Sequence, residues 1–264
     1  MYIDTEGVIL KQVRTLNNRR MLLLFSKKYG KISAGSNLSE KGKGKQSLAM
    51  KPFTYGRYEL FKGREIYNIN AAEVIKSFYK IGEDVDKYMS CSYILEFTEK
   101  LLPENQPAPA LFDLLIDFLE VIERRSKKYP SLVAAYQFKA LQHSGNAPQI
   151  KACANCGNVA QIKACANSGD AKDGVHFSIK DGGILCKSCF KTRNVDSKDK
   201  DTLIYDVDFG IVNIISYILD NPIACFEKLA LDEVSLTKIQ QILKSYILYH
   251  YDIEALKSEA FLLD

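Results

Sequence analysis

Apolar and polar positions along this chain follow two different periods. From Val8 to Asn70 the pattern is that of strands. Residues 21–25 (Met-Leu-Leu-Leu-Phe) form a continuous apolar run suited to a buried strand, and Ser26-Lys27-Lys28-Tyr29-Gly30 after it has turn chemistry. Lys31-Ile32-Ser33-Ala34 alternates, as do residues 53–61, and Lys62-Gly63 suits a hairpin turn into residues 64–70. With Val8-Ile9-Leu10 at the front, five short strands are predicted. Closure into a small barrel removes their exposed edges; a five-stranded OB barrel has this size, and an SH3-like barrel fits the strand count equally well. Between the third and fourth strands, residues 36–47 are rich in Gly, Ser and Lys and predict a mobile loop.

From about residue 71 the predicted period becomes helical. Tyr88, Cys91, Leu95 and Leu102 share one face, and Pro103 follows as a stop. Pro107 and Pro109 mark a linker before the stripe Leu111, Leu115, Leu119 and Ile122. Further helices are predicted over residues 130–143, with Gly145 as the stop, and over 209–219 and 236–250. The expected class is therefore α+β: an OB-like β-barrel (residues 1–80), then a helical domain (81–148 and 200–264) interrupted by a cysteine-rich insertion (149–199).

Charge divides the chain at nearly the same place. The whole has 36 Lys+Arg and 32 Asp+Glu, a bland +4. Residues 1–80 hold 16 of the basic and 6 of the acidic residues, a net of +10, which leaves −6 for the remainder. Such asymmetry points to a polyanion. With 47% hydrophobic residues, wholesale disorder is excluded. Met1-Tyr2-Ile3-Asp4-Thr5-Glu6 lacks the start of a signal peptide, and the apolar stretch 110–122 is cut by Asp113, Asp117 and Glu120, so no membrane span is expected. An intracellular, cytoplasmic location follows as the expectation. Cys91 and Cys225, isolated in apolar segments, are expected to be small buried hydrophobes.

Five of the seven cysteines fall between positions 153 and 189. Cys153-Ala154-Asn155-Cys156 and Cys186-Lys187-Ser188-Cys189 are C-x2-C pairs. Two intervening residues let the amides of a tight turn face the sulfurs, and two such knuckles complete a tetrahedral thiolate site for one structural Zn2+. A redox dithiol is the alternative, but no βαβ pattern surrounds either pair. The nine residues from Gln149 recur from Gln161 with eight identities, Ser168 standing where the second thiol belongs. Cys153 and Cys156 are thus the better donors with Cys186 and Cys189. Cys165 is a possible substitute, because it restores the shorter 15–20-residue gap usual in zinc ribbons.

No active site is apparent. Gly42-Lys43-Gly44-Lys45 lacks the spacing of a P-loop, no G-x-S-x-G or H-E-x-x-H occurs, and His176 is followed by Phe177 and Ser178 instead of the deaminase pattern. Glu83-Asp84 and the pair Asp199 and Asp201 read as helix-start or loop acids. His143, His176 and His250 read as surface or interface residues. The barrel, by contrast, carries Arg14, Arg19, Arg20, Lys27, Lys28, Lys31, Lys41, Lys43, Lys45, Lys51, Arg57 and Arg64, interleaved with Tyr29, Phe53, Tyr55 and Tyr58. Cations for phosphates and rings for unpaired bases are the two requirements of a nucleic-acid surface, although the rings suit a barrel core equally. Arg124-Arg125-Ser126-Lys127-Lys128 reads as the cationic end of a helix.

The order of parts resembles the RecO family of bacterial recombination-repair proteins over nearly the whole chain. The resemblance rests on Glu6-Gly7-Val8-Ile9-Leu10, on Phe25 through Lys31-Ile32-Ser33-Ala34, and on the Lys-rich loop up to Phe53. It continues in Ala72-Glu73, Tyr93-Ile94-Leu95-Glu96, Leu101-Leu102-Pro103-Glu104 and Leu111-Phe112-Asp113. Phe177-Ser178, Gly182-Gly183-Ile184-Leu185-Cys186 and Leu256-Lys257-Ser258 complete it. The duplicated knuckle departs from the family, whose cysteine gap is like that of the second copy. The resemblance implies a non-enzymatic mediator that binds single- and double-stranded DNA and anneals complementary strands. It also implies partners: RecR, the C-terminal tail of the single-strand-binding protein SSB and, indirectly, RecA. By carry-over, Arg19, Arg20, Lys41, Lys43, Lys45 and Arg57 are the DNA candidates. A zinc-ribbon RNA-binding or transcription-associated module is the competing reading, and a zinc hydrolase a third.

Overall fold

The computed structural model describes residues 1–14, 20–36, 45–63, 66–127, 129–159, 175–196 and 203–261. They form two compact units, Met1–Val133 with Ala255–Asp264, and Ala134–Glu254.

The first unit is built on a closed barrel of β1 (Tyr2–Arg14), β2 (Arg20–Ser26), β3 (Gly30–Ser36), β4 (Thr54–Lys62) and β5 (Tyr67–Ser77), in the order β1-β2-β3-β5-β4. β4 returns to β1, and β3 closes on β5 through a short parallel ladder, Ala34 to Tyr67 and Ser36 to Ile69. That crossed, parallel closure is the Greek-key arrangement of an OB barrel and settles the choice the strand count left open. β1 serves two neighbours: its first half pairs with β4 and its second with β2, and a register shift between Ile9 and Lys11 supplies the bend. Ile9, Leu22, Leu24, Ile32, Tyr58, Leu60 and Ile69 point inward and form the core.

Three sequence expectations change here. Residues 45–47 are not loop: α1 (Lys45–Ala49) plugs the barrel, with Ala49 and Met50 in the core and the Tyr58 hydroxyl donating to the Ala49 carbonyl at 2.6 Å. Ser36 belongs to β3, and residues 37–44 lie outside the described set. The helical period does not begin at 71, since β5 continues to Ser77, held by β4 along its length. Pro109 is not linker: it occupies the first turn of α3 (Pro109–Arg124), where its missing N–H costs nothing.

α2 (Val85–Leu101) starts at Asp84, whose carboxylate accepts the Lys87 amide, so the helix-start reading of that acid holds. Cys91 and Leu95 are buried as the stripe predicts, but Tyr88 is exposed and meets Phe53 edge-on at 5.4 Å. On α3, Leu111, Leu115, Leu119 and Ile122 are all buried. Phe112 stacks its edge against Phe25 of β2 at 5.2 Å, joining helix to barrel. At Gly30 (φ 73°) the β2–β3 turn lies so close to this layer that an added Cβ would stand 1.9 Å from the Gln106 carbonyl oxygen. α3 ends at Arg124, and the next residue, Arg125, is buried with Nε donating to the Lys127 carbonyl at 2.7 Å.

α4 (Tyr129–His143) leads into the second unit, where Gly145 takes φ 83° just past the helix end. A small sheet, β7-β6-β8, joins β6 (Val175–Ser178), β7 (Gly183–Leu185) and β8 (Ile204–Val207). α5 (Lys187–Asp196) follows β7, and α6 (Phe209–Asp220) and α7 (Glu233–Tyr251) follow β8, capped by Asp208 and Asp232. Cys225 is exposed, contrary to expectation, because it sits in a short 3-10 turn whose buried members are Ile223 and Phe226. Among the described residues no helix is long and apolar enough to cross a membrane.

Candidate metal centre and nucleic-acid face

The thiol centre is assembled in the second unit by backbone pairing before any ion is considered. Gln149 bridges to Gly183 of β7, its amide donating to Gly182 and its carbonyl accepting from Ile184. The Ala154 amide then donates to the Ile184 carbonyl at 2.7 Å. This docking brings the Cys153–Cys156 turn beside the residues that follow β7. Gly157 takes φ 72° and returns its amide to the Cys153 carbonyl at 2.8 Å, closing the first knuckle. The second knuckle is the start of α5, where the Phe190 amide reaches the Cys186 carbonyl at 3.0 Å.

As a result the sulfurs of Cys153, Cys156, Cys186 and Cys189 all lie within 4.8 Å of one another. Four sulfurs about 2.3 Å from a central Zn2+ stand about 3.8 Å apart, and Cys156 and Cys186 are separated by 3.8 Å. The donors also fit a cation electrostatically. Burial pushes the Cys153 thiol up, but amides of Cys156, Cys186 and Asn155 directed at its sulfur outweigh this and bring it below its ordinary value. At Cys186, burial is likewise outweighed, chiefly by the Ser188 hydroxyl and the Cys189 amide, and the thiol falls to about 6. Cys189 is the opposite case. The Asn155 amide favours its thiolate, yet desolvation and the three neighbouring sulfurs hold its proton and push it to about 12. Like charges at this spacing resist full ionisation, and a bound dication relieves them. The first copy of the repeat contributes Cys153 and Cys156 to this cluster; Cys165, the possible substitute, lies outside the described residues. Asn155, whose side-chain amide reaches the Cys189 sulfur at 3.4 Å, and Ser188, at 3.1 Å from that of Cys186, are supporting residues that C-x2-C spacing does not single out.

Among the described residues no histidine joins the cluster. His176 stacks on Phe190 and meets Asp206 at 2.6 Å, while His250 Nε2 lies 2.8 Å from the Ile179 carbonyl.

In the first unit the basic residues divide into two sets. One faces the helices. Lys27 meets Asp113 at 2.7 Å, Lys76 meets Glu120 at 2.7 Å, Lys31 lies 3.2 Å from Glu104 and Lys11 3.6 Å from Glu99. Four barrel lysines are thereby matched within the unit, so the +10 overstates the free cationic surface.

The other set gathers at one rim. Strand registers align Arg14 with Arg20, Arg20 with Ser36, and Ser36 with Ile69, and the β4–β5 hairpin closes beside them at Lys62 and Tyr67. From the same strand ends depart the connections 15–19 and 37–44, which include Arg19, Lys41 and Lys43; these residues lie outside the described set, as do the side chains of Arg14 and Lys45. Arg20 is 8% exposed, its guanidinium 3.4 Å from the Ser36 hydroxyl. Arg57 is exposed but sits elsewhere, in register between Glu6 and Glu73 and 3.9 Å from the Glu6 carboxylate.

The interleaved aromatics are not free rings. Tyr58 and Phe53 are buried, Tyr29 packs on the core, and Tyr55 donates to Glu6 while facing Phe112. Sequence alternation places them on a strand but does not say which face is inside.

An OB barrel joined to a helical region in which four cysteine sulfurs lie close enough to hold a metal ion is the class of protein that the fold and site define. Comparison with known proteins makes the class specific. Residues 1–78 match the family model "Recombination protein O N terminal", and residues 82–163 and 160–260 match "Recombination protein O C terminal". The two C-terminal stretches overlap at 160–163, at the junction of the tandem repeat. A protein named DNA repair protein RecO from Alkaliphilus metalliredigens is 29% identical over 252 residues, covering 96% of this chain and 95% of that one. Its namesake from Acetivibrio thermocellus is 25% identical, covering 93% and 90%, and that from Exiguobacterium sibiricum is 30% identical, covering 71% and 70%. The chain belongs to the RecO family and thus to the proteins of recombinational DNA repair.

Proposed function

We propose that the protein is a non-enzymatic recombination mediator of the cytoplasm that binds single- and double-stranded DNA and anneals complementary strands. With RecR, and through contact with the tail of SSB, it places RecA on coated single strands. The observation that carries this reading is that the end of β1 at Arg14, the end of β4 at Lys62 and the strand ends from which the connections 15–19 and 37–44 depart share one rim of the OB barrel. OB barrels hold oligonucleotides with such loops, and phosphate neutralisation gives binding that falls steeply with salt. Arg57 remains a DNA candidate on its exposure alone. One Zn2+ per chain, held by Cys153, Cys156, Cys186 and Cys189, serves as a structural brace.

The test is annealing of complementary oligomers with and without SSB, alongside direct binding to matched DNA and RNA. Annealing that persists on SSB-coated strands supports the mediator. RNA preference without annealing would move the protein to the RNA-binding class. Replacing Lys41, Lys43 and Lys45 together with Glu should flatten the log–log salt dependence by up to about 2. An unchanged slope removes that connection from the interface.

A further inference from the structure

Two aromatic rings on the outer barrel wall have no part in the core. Tyr2 of β1 and Phe61 of β4 are directly opposite in register, 63% and 40% exposed, with ring centroids 5.3 Å apart and planes inclined at 62°. Burying such rings is worth more than leaving them in water, so a wet pair on a sheet wall invites a ligand with an apolar face. Its surroundings restrict the ligand's chemistry. On the rim side stands Lys62, whose backbone amide donates to the Met1 carbonyl and whose ammonium lies 5.7 Å from the centre of the Tyr67 ring. On the other side, the register continues to Asp4 opposite Glu59, two carboxylates. A polyanion can therefore approach from the rim but not cross the wall, and what it presents to the rings must be uncharged and flat.

We propose that Tyr2 and Phe61 form a stacking platform for unpaired bases of single-stranded DNA whose phosphates follow the cationic rim past Lys62. The inference rests on the barrel rim being the DNA surface and adds the basis for telling single strands from duplex. Bases in a duplex are already stacked and cannot reach the rings, whereas every unpaired base offers a π-face regardless of sequence. Duplex DNA gains only the phosphate contacts of the rim.

The experiment uses the full chain with both positions changed, Tyr2→Leu and Phe61→Leu, which keeps apolar bulk on the wall. Phe61→Tyr with Tyr2→Phe serves as the aromatic control. Affinity is measured for a single strand, the same strand with abasic sites, and a duplex. Each ring lost should weaken single-strand binding about five- to tenfold, with duplex affinity unchanged and the aromatic control close to wild type. Wild type should also lose affinity on the abasic strand, while the leucine variant should bind intact and abasic strands alike. If wild type binds in a salt-dependent way and the leucine variant discriminates strands just as well, the platform is wrong and the rim stands. If wild type shows no salt-dependent DNA binding, the rim reading fails and takes the platform with it.

Discussion

The barrel and the thiol centre reach order by opposite routes. In the barrel, five strands enclose inward side chains such as Leu24, Ile32, Tyr58 and Leu60, and a short β3–β5 ladder closes the sheet on itself. The sheet near the cysteines has strands of only four, three and four residues. Strands this short bury less apolar area than those of the barrel. Val175, Phe177, Ile184 and Leu185 are buried in this sheet, and to this small core are added four sulfurs, two tight knuckles and one bridge from Gln149 to Gly183. A barrel is stabilised by many weak contacts and tolerates the loss of one; a thiolate centre depends on four and tolerates almost none.

Removing the metal gives the largest expected effect. Chelation, or Cys186→Ser with Cys189→Ser, should release about one zinc per chain and forfeit binding free energy on the order of 10 kcal/mol. Hydrogen exchange should show lost protection across β6, β7, α5 and β8 while β1 to β5 keep theirs. Equal loss in both regions, or metal retained by the double variant, would break the contrast.

Two glycines sharpen it. An added Cβ at Gly30 would meet the Gln106 carbonyl oxygen at 1.9 Å, and one at Gly183 would meet that of Gln149 at 2.1 Å. Alanine at either position should cost about 2–4 kcal/mol. Only Gly183→Ala should also weaken zinc binding, because Gln149 carries the first knuckle. Zinc titration of both variants, beside their melting temperatures, reads the difference.

The smallest effect lies at Asp84, on the barrel side. The Lys87 amide, with help from the Tyr129 hydroxyl, holds its carboxyl below the ordinary value of 3.8. A group depressed in the folded state contributes stability above its unfolded pKa and loses it as pH falls through the folded value. Asp84→Ala should therefore cost about 1 kcal/mol near neutrality. That cost should be lost as pH falls through the depressed folded-state value, so the two acid-unfolding curves should converge at low pH.

Most of the fold was legible in the chain because period and turn chemistry are local properties. The apolar run at 21–25, the Lys62-Gly63 turn and the Leu111 stripe each appear where the pattern puts them. Errors arose where a local signal had two readings. The polar composition of residues 45–47 resembles loop, yet they open the helix that plugs the barrel. Alternation put Tyr55 and Tyr58 on a strand without revealing that the first is tied to Glu6 and the second buried. The charge count was right as arithmetic but included Lys11, Lys27, Lys31 and Lys76, which neighbouring acids already match. Tyr2 and Phe61 gave no signal, being far apart in sequence and joined only by strand register.

By itself the sequence determined the class of fold, the basic first part and the presence of two thiol pairs, since all three depend on residue type and short spacing. Tertiary structure alone brought Cys153 and Cys156 beside Cys186 and Cys189, because that turns on hydrogen bonds from Gln149 and Ala154 to a strand remote in sequence. It also decided which cations neighbouring acids match and which rings stay wet. Those depend on what packs opposite a side chain, and composition carries no record of that.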